Sequence, residues 1–477
     1  MERLMNKRPN ILLIVMDSVR SSNLSCYGYH RPTTPNIDAF ARQGTLFENT
    51  VSEGCWTLPV HTSLFTGLYA LNHGVTISKS ALPENHPTLA HRLREAGYQT
   101  CCLTSNAYIS PNTGLTNGFD TVEEVWRITS PRGIKRTKMS QLKMQLRKLG
   151  LIGAPLIVAL RLLSRLRRIL KGQKTKSDKG AALTNQLAEK WLANRSADKP
   201  FFLFINYMEC HEKYEPTAPY DRKFMPQQYS KWRVSQVSPD KKHVLKGSEK
   251  RKKEDVEIMT ALYDGELNYL DQKISELLAA LNSNSLLDDT VVVITSDHGD
   301  SLGEHNELGH RMVLYEQLVH VPLIVRYPKI FKSGDRVPNL VQLADLFPTL
   351  LELGGVTSQK EKSNGFLSLC NLENLGRREF VVAENTAPKS LSSMEMKAIR
   401  NERYKLIWKS NDELELYDLL HDPLEEKNLI REQPAEAERL RQYLEKWKGA
   451  HAFQLESREA VFDDELSERL RALGYVN

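Results

Sequence analysis

Residues 10–19, NILLIVMDSV, decide how the chain reads. An unbroken apolar run rich in branched side chains and ending in an acid is the pattern of a parallel strand covered on both faces, whose carboxyl end reaches a site. Two other stretches repeat it, KPFFLFINYMECHEKYEP at 199–216, which finishes in His and Glu, and LLDDTVVVITSDHGD at 286–300, which finishes in Asp and His. Between them, HPTLAHRLREAGYQTCCLTSN (86–106) predicts an amphipathic helix, a glycine turn and a strand, and ELNYLDQKISELLAALNSN (266–284) carries a helical 3.6-residue period. Strands alternating with helices predict an α/β fold with a mainly parallel sheet and a site at the carboxyl ends of its strands.

Beyond about residue 380 the pattern changes. MKAIRNERYKLIWKS (396–410) and ELELYDLLHDPLEEKNL (413–429) predict two short strands and a turn, followed by a charged helix through AEAERLRQYLEKWKG (435–449). The expected organisation is a large domain over 8–375 and a small antiparallel C-terminal subdomain and tail over 380–477. Two segments read as insertions, about 125–180 and about 221–255.

The composition, 40% hydrophobic and 26% charged over 477 residues, is that of a globular protein large enough to bury a sizeable core. The N-terminus has a short apolar run with no small-residue cleavage site after it, so no signal peptide is expected. The six cysteines have no framework spacing, so a reducing, cytoplasmic setting is expected. The net charge of +6 is uneven: residues 131–180 hold fifteen Lys or Arg against one acid, leaving −8 for the rest. Within that segment, 148–172 has Leu interleaved with Arg161, Arg165, Arg167 and Arg168. It is too short in apolar residues to span a bilayer and fits a basic amphipathic helix. Such a helix either lies on an anionic membrane at the inner face or packs on its own domain with Arg outward. No base-reading motif points to nucleic acid.

Candidate chemistry sits where strands end. Asp17, Asp297 and His298 offer carboxylate and imidazole donors that converge in a parallel sheet and suit a divalent metal; singly, each also reads as a helix cap or a polar turn residue. WTLPVHTSLFTG (56–67) places Thr57 at or near a helix N-terminus, either as a cap or, with a metal beside it, as a nucleophile. Cys55, two residues earlier, is the competing nucleophile.

These segments together resemble a known family. RPNILLIVMDSVR (8–20), SCYGYHRPTTPNIDAFARQGTLFENTVSEG (25–54), TLPVHTSLFTGLYALNHGV (57–75), PFFLFINYMECHEKYEPTAPY (200–220), VVVITSDHGDSLGEH (291–305), LYEQLVHVPLIVRYP (314–328), LADLFPTLLELGGV (343–356) and YKLIWKSNDELELYDLLHDPLEEKNL (404–429) occur in the order of the sulfatase family of the alkaline phosphatase superfamily. The resemblance implies the three-layer alkaline-phosphatase/sulfatase-like α/β fold. In that family a Cys/Ser-x-Pro-x-Arg motif opens on the residue oxidised to formylglycine. Matching its proline to Pro59 puts Thr57 at the nucleophile position and His61 where Arg would stand, with Cys55 two residues too early. Threonine cannot mature to formylglycine, because its carbinol carbon carries a methyl group.

The resemblance also implies a metal set of Asp17, Thr57, Asp297 and His298, with Ser18 where a second acid is usual. It matches His211 to a residue contacting substrate or leaving group, and Arg311, with His310 beside it, to a substrate-binding lysine. His305 has a family counterpart without an arguable role, and His73 and His320 read as structural. The Gly-Lys-Trp-His segment that clamps sulfate is replaced by CCLTSNAYIS (101–110).

This ligand set resembles that of superfamily transferases with a metal-bound threonine nucleophile. One divalent ion is therefore expected, Zn²⁺ or Mn²⁺ ahead of Ca²⁺ or Mg²⁺. The expected activity is metal-dependent hydrolysis or transfer of a phosphate or sulfate ester, glycan- or lipid-linked, with His61, His211, His310 and Arg311 stabilising oxyanions or protonating the leaving group. The alternatives are a sulfuric ester hydrolase using an unmodified hydroxyl, and an inactive protein that binds an anionic glycan or lipid.

Overall fold

A computed structural model describes residues 8–76, 80–129, 178–237, 252–310, 313–356, 365–385, 394–453 and 455–472. Arg311 and the basic segment 148–172 lie outside the described residues, as do most of the insertion expected at 125–180 and the middle of the one expected at 221–255.

The central sheet has eight strands: β1 (Asn10–Met16), β2 (Thr45–Val51), β3 (Gln99–Thr104), β4 (Thr121–Glu124), β5 (Phe201–Tyr207), β6 (Thr290–Thr295), β7 (Leu323–Arg326) and β8 (Asp335–Gln342). Their order across the sheet is β8-β2-β7-β6-β1-β5-β3-β4, and only β7 runs antiparallel to its neighbours. The mainly parallel sheet follows from the apolar runs. All seven residues of β1 are buried, with Ile11, Leu13 and Val15 packing on one face and Leu12, Ile14 and Met16 on the other. Each such side chain, fully withdrawn from water, contributes about 1.5–3 kcal/mol.

Helices cover both faces, making three layers. On one lie α2 (Thr57–Thr66), α3 (Leu89–Glu95) and α6 (Leu346–Leu353); on the other lie α1 (Pro35–Ala41), α4 (Ala181–Asn194) and α5 (Lys253–Ser283). Local chemistry sets their ends. Thr88 and His91 form a reciprocal capping box at the start of α3. The Asp271 carboxylate on α5 accepts the amides of Asn36 and Ile37 at the start of α1. Gly67 ends α2 at φ 63°, where a Cβ would fall 2.6 Å from the Phe347 ring. The helix α5 begins thirteen residues ahead of the periodic stretch, because its opening turns carry Glu254 and Asp255 at the positive end of the helix.

The C-terminal region forms a four-stranded antiparallel sheet, β9 (Val381–Asn385), β10 (Met396–Arg400), β11 (Tyr404–Lys409) and β12 (Leu414–Asp418), with α7 (Pro434–Ala450) packed on it. The stretch read as two strands holds three. Asn401 turns β10 into β11 by accepting the amides of Arg403 and Tyr404 on its side-chain oxygen. Gln342 at the end of β8 joins the two sheets through Val382, donating to its carbonyl and accepting from its amide.

Candidate active site

The polar site lies at the carboxyl ends of β1, β3, β5 and β6. Because β1 and β6 are adjacent and parallel, with Val15 opposite Thr295, the residues just past their ends, Asp17 and Asp297, meet. Ser296 ties the two strand ends together: its hydroxyl lies within hydrogen-bond reach of the carbonyls of Met16 and His298, donating to one of them, while it accepts from the Val19 amide.

Ser18, where an acid is usual in the family, adopts a left-handed φ of 61°. That conformation is costly for a residue with a side chain and concentrates at functional sites. Here it turns the Ser18 amide onto Asp297 Oδ1 at 3.2 Å, and the Ser18 hydroxyl donates to Asp17 Oδ1 at 3.0 Å. Gly299 is needed after His298, because a Cβ there would lie 2.0 Å from the Gln317 carbonyl oxygen.

Donor atoms of Asp17, Asp297 and His298 lie within 4.8 Å of one another, and all three residues are buried. Asp297 Oδ1 accepts the amides of Ser18 and His298, whereas Oδ2 takes no hydrogen bond among the described residues. His298 Nδ1 lies 2.9 Å from the Gly299 carbonyl, so the proton belongs on Nδ1 and Nε2 presents its lone pair inward. A buried carboxylate oxygen without a donor, beside an imidazole lone pair, is an arrangement that a divalent cation fits.

Thr57 is the first residue of α2, whose ten residues are all buried, and Trp56 before it supplies no side-chain cap. Its Oγ1 lies 3.4 Å from His298 Nε2. Asn106, just past β3, donates from Nδ2 to both Asp17 Oδ2 at 2.7 Å and Thr57 Oγ1 at 3.3 Å, while its Oδ1 accepts the Tyr108 amide. The structure therefore gathers Asp17, Thr57, Asp297 and His298 into one pocket and adds Asn106.

His61 sits one turn into α2 and is fully buried. Its Nδ1 is 2.9 Å from the Thr57 carbonyl and 3.7 Å from Asp297 Oδ2, and burial pushes its pKa down to about 4, so the ring is neutral. The rings of His211 and His298 each lie 4.8 Å from that of His310, which also meets the Trp56 edge. His310 Nδ1 is 3.3 Å from both Glu212 Oε2 and Asp300 Oδ1, and the Tyr214 hydroxyl donates to Asp300 Oδ2. Burial raises the Asp300 carboxyl above the ordinary carboxylate range, against the hydrogen bond to His310. Lys179 binds the carbonyls of Glu209 and His211 and so fixes the chain after β5.

The other candidates stand apart. Cys55 is buried, and burial pushes its thiol up to about 12. All six cysteines are free. His305 stacks on Tyr315 at 3.8 Å, His73 is paired with Ser63, and His320 reaches the Glu48 carbonyl. Sequence reading missed Asn106, Glu212 and Asp300; the available signal was a polar residue just past an apolar strand, as in TSN (104–106), CHE (210–212) and DHGD (297–300). Among the described residues no helix is long and apolar enough to cross a membrane.

The layered sheet and its strand-end pocket define an α/β protein of the alkaline phosphatase superfamily. The chain belongs to the sulfatase family: the family model described as Sulfatase matches residues 9–356, and that for the N-sulphoglucosamine sulphohydrolase C-terminal region matches 303–449. The choline-sulfatase of Rhizobium meliloti (strain 1021) is 24% identical over 441 residues, covering 88% of this chain and 82% of the relative. A solved structure described as a complex with its substrate D-glucosamine-2-N,6-O-disulfate superposes with TM-score 0.70 at 22% identity, covering 93% of this chain and 98% of the other. The phosphonate monoester hydrolase of Agrobacterium radiobacter does so with TM-score 0.70 at 23% identity, covering 93% and 96%.

Proposed function

We propose that this chain is a metal-dependent enzyme that cleaves phosphate or sulfate esters, with the unmodified hydroxyl of Thr57 as nucleophile. The observation that carries the reading is the convergence of Thr57 Oγ1, His298 Nε2, Asp17 and Asp297 in one buried pocket. Asp17, Thr57, Asp297 and His298 would hold one divalent ion, Zn²⁺ or Mn²⁺ by the mixed nitrogen and oxygen donors. When bound, such an ion supplies Lewis acidity toward the ester oxygen and lowers the pKa of a hydroxyl beside it.

The protein's own groups do the rest. Asn106 holds Thr57 Oγ1 and Asp17 in fixed relation, and the first-turn amides of α2 favour the anionic group of the ester. The Thr57 hydroxyl gives up its proton to solvent, and its oxygen forms the new bond to phosphorus or sulfur as the bond to the leaving oxygen breaks. His211 and His310 would protonate the leaving oxygen, and Arg311, which the resemblance matches to a substrate-binding lysine, would bind the substrate's charge. Water or an alcohol then releases the group from Thr57.

Phosphoryl chemistry is favoured because the family's nucleophile position falls on Thr57, which cannot mature to formylglycine, and the Gly-Lys-Trp-His clamp is replaced by CCLTSNAYIS. Sulfate esters form the second reading, supported by the choline-sulfatase relative and the disulfate-bound structural neighbour. The catalytic unit under this proposal is 8–375, with 380–477 as the appended subdomain. The test pairs metal analysis of wild-type protein and Thr57→Ala with turnover of nitrophenyl phosphate monoester, diester and sulfate. Bound metal with turnover that vanishes in the variant supports the reading; metal-free, inactive wild-type protein favours the anion-binding alternative.

A further inference from the structure

We propose that the C-terminal segment 458–463 braces the loop that carries Asn106 and thereby positions Thr57, with Arg458 and Thr113 as positioning residues for ester cleavage. The effect on turnover rests on the Thr57 reading above; the brace itself does not.

Beyond α7 the chain returns to the large domain. The Leu455 amide donates to the Asn72 carbonyl at 2.6 Å, and Arg458–Glu459 pairs antiparallel with Ser80–Ala81. A last helix, Asp464–Ala472, buries Leu466 and Leu470 in the core that also holds Leu82, Tyr108 and Trp126. Arg127 secures its start, reaching Asp463 at 2.8 Å, Glu465 at 3.1 Å and Glu124 at 2.8 Å. These partly exposed pairs are singly weak, but one planar guanidinium shared among three carboxylates sets the direction in which the segment runs.

From this segment a line of hydrogen bonds leads inward. Arg458 Nε donates to the Leu82 carbonyl at 3.0 Å, and the Leu82 amide donates to the Thr113 carbonyl at 3.0 Å. Beside it, Asn112 Nδ2 donates to the Val461 carbonyl. The single turn Pro111–Thr113 is thus held at both edges. The Thr113 hydroxyl lies 2.6 Å from the Tyr108 carbonyl and 3.0 Å from that of Ser110, and donates to the nearer. The Tyr108 amide then donates to Asn106 Oδ1 at 2.9 Å, which fixes the side-chain amide with Nδ2 toward Asp17 and Thr57.

Two features make turnover sensitive to this line. Asn106, Tyr108, Ser110 and Thr113 are all buried, so water does not replace a contact that the loop loses. The last contact, Asn106 Nδ2 to Thr57 Oγ1 at 3.3 Å, lies just beyond the usual range of about 2.7–3.2 Å for such a bond. A shift of the loop by a few tenths of an ångström therefore decides whether the nucleophile is held, and small misplacements of reacting groups are costly in rate.

The test uses the full-length protein. Thr113→Val removes the hydroxyl and keeps the side-chain shape, and Arg458→Ala removes the donor to Leu82. Each should lower kcat toward a nitrophenyl ester by about 2- to 30-fold with KM unchanged, and Thr113→Ser should restore it. On an Asn106→Ala background neither substitution should lower kcat further, because both act through Asn106. Unchanged kcat in both variants, or losses that multiply on that background, overturns the proposal. Hydrogen exchange of the peptide spanning 101–114 supplies the arm that needs no turnover: the Tyr108 amide should exchange faster in both variants than in wild type, and unchanged exchange overturns the brace. If Thr113→Val does not fold, Arg458→Ala, at a partly exposed position, decides alone. Faster exchange in the variants of a protein that cleaves no ester would sink the esterase reading and leave the brace standing; unchanged exchange with full, Thr57-dependent turnover would do the reverse.

Discussion

Thr57 Oγ1 lies 3.4 Å from His298 Nε2, although 241 positions separate the two residues. The contact exists because α2 starts beside the carboxyl ends of β1 and β6, and because the Gly299 carbonyl fixes the imidazole with its lone pair toward the threonine. If Thr57 is the nucleophile, Thr57→Ala should lower kcat by at least about 10³-fold while leaving the fold intact, since removing a nucleophile leaves only binding and electrostatic stabilisation. Steady-state kinetics alongside circular dichroism checks this. Thr57→Ser should keep measurable turnover.

Asn106 is expected to act by position. Asn106→Ala removes donors to both Asp17 and Thr57 and should reduce kcat or metal affinity by roughly 10–100-fold, the usual cost of losing an outer contact. A change confined to KM, with kcat and metal affinity as in wild type, would contradict that role.

The metal reading has its own test. Chelation should abolish turnover, and Zn²⁺ or Mn²⁺ should restore it. Asp297→Asn should need far more metal for half-maximal activity, measured by titrating metal into stripped protein, because Oδ2 is the buried oxygen that no hydrogen bond occupies among the described residues.

Stability should depend on pH through buried groups away from the pocket. Burial pushes Glu53 up to about 8, so the folded state keeps a proton that the unfolded state releases above its ordinary value of 4.5. Its contribution is complete below that value and is lost as pH rises through about 8. Glu53→Gln should therefore gain in Tm over wild type between pH 5 and pH 8. His73 has the opposite sign. Burial lowers it to about 3, so its contribution is present above pH 6.5 and is lost as pH falls toward 3. Thermal scans of Glu53→Gln and His73→Gln against wild type across pH separate the two slopes.

Leu13, at the centre of β1, should be costly to truncate. Leu13→Ala removes a fully buried side chain from the face that α2 covers and should destabilise by about 2–5 kcal/mol, read by chemical denaturation.

The frame of the fold was legible because buried parallel strands leave uninterrupted apolar runs, and Asp17 and Asp297 were legible because such runs end at a site. The fate of His61 was not. With all ten residues of α2 buried there is no polar stripe to mark a solvent side, so its burial depends on what packs around the helix. Asn106 gave only an ordinary polar residue after a strand; its contact with Asp17 and Thr57 follows from strand order, which places β3 two positions from β1 with β5 between. Glu212, Asp300 and His310 meet through loop conformation, which residue pattern does not encode. In the C-terminal sheet a three-residue turn at Asn401 is too short to interrupt an apolar pattern, so two strands read as one.

The central claim is that Thr57 carries the transferred group. Mixing wild-type protein with a nitrophenyl phosphate or sulfate ester, quenching in acid within a single turnover and sequencing the peptide around WTLPVH tests it most directly. The expected result is a phosphoryl or sulfuryl group on Thr57 in the wild type and none in Thr57→Ala, which also forms no product. An unmodified Thr57 at every quench time while product forms, or full turnover by Thr57→Ala, would contradict it.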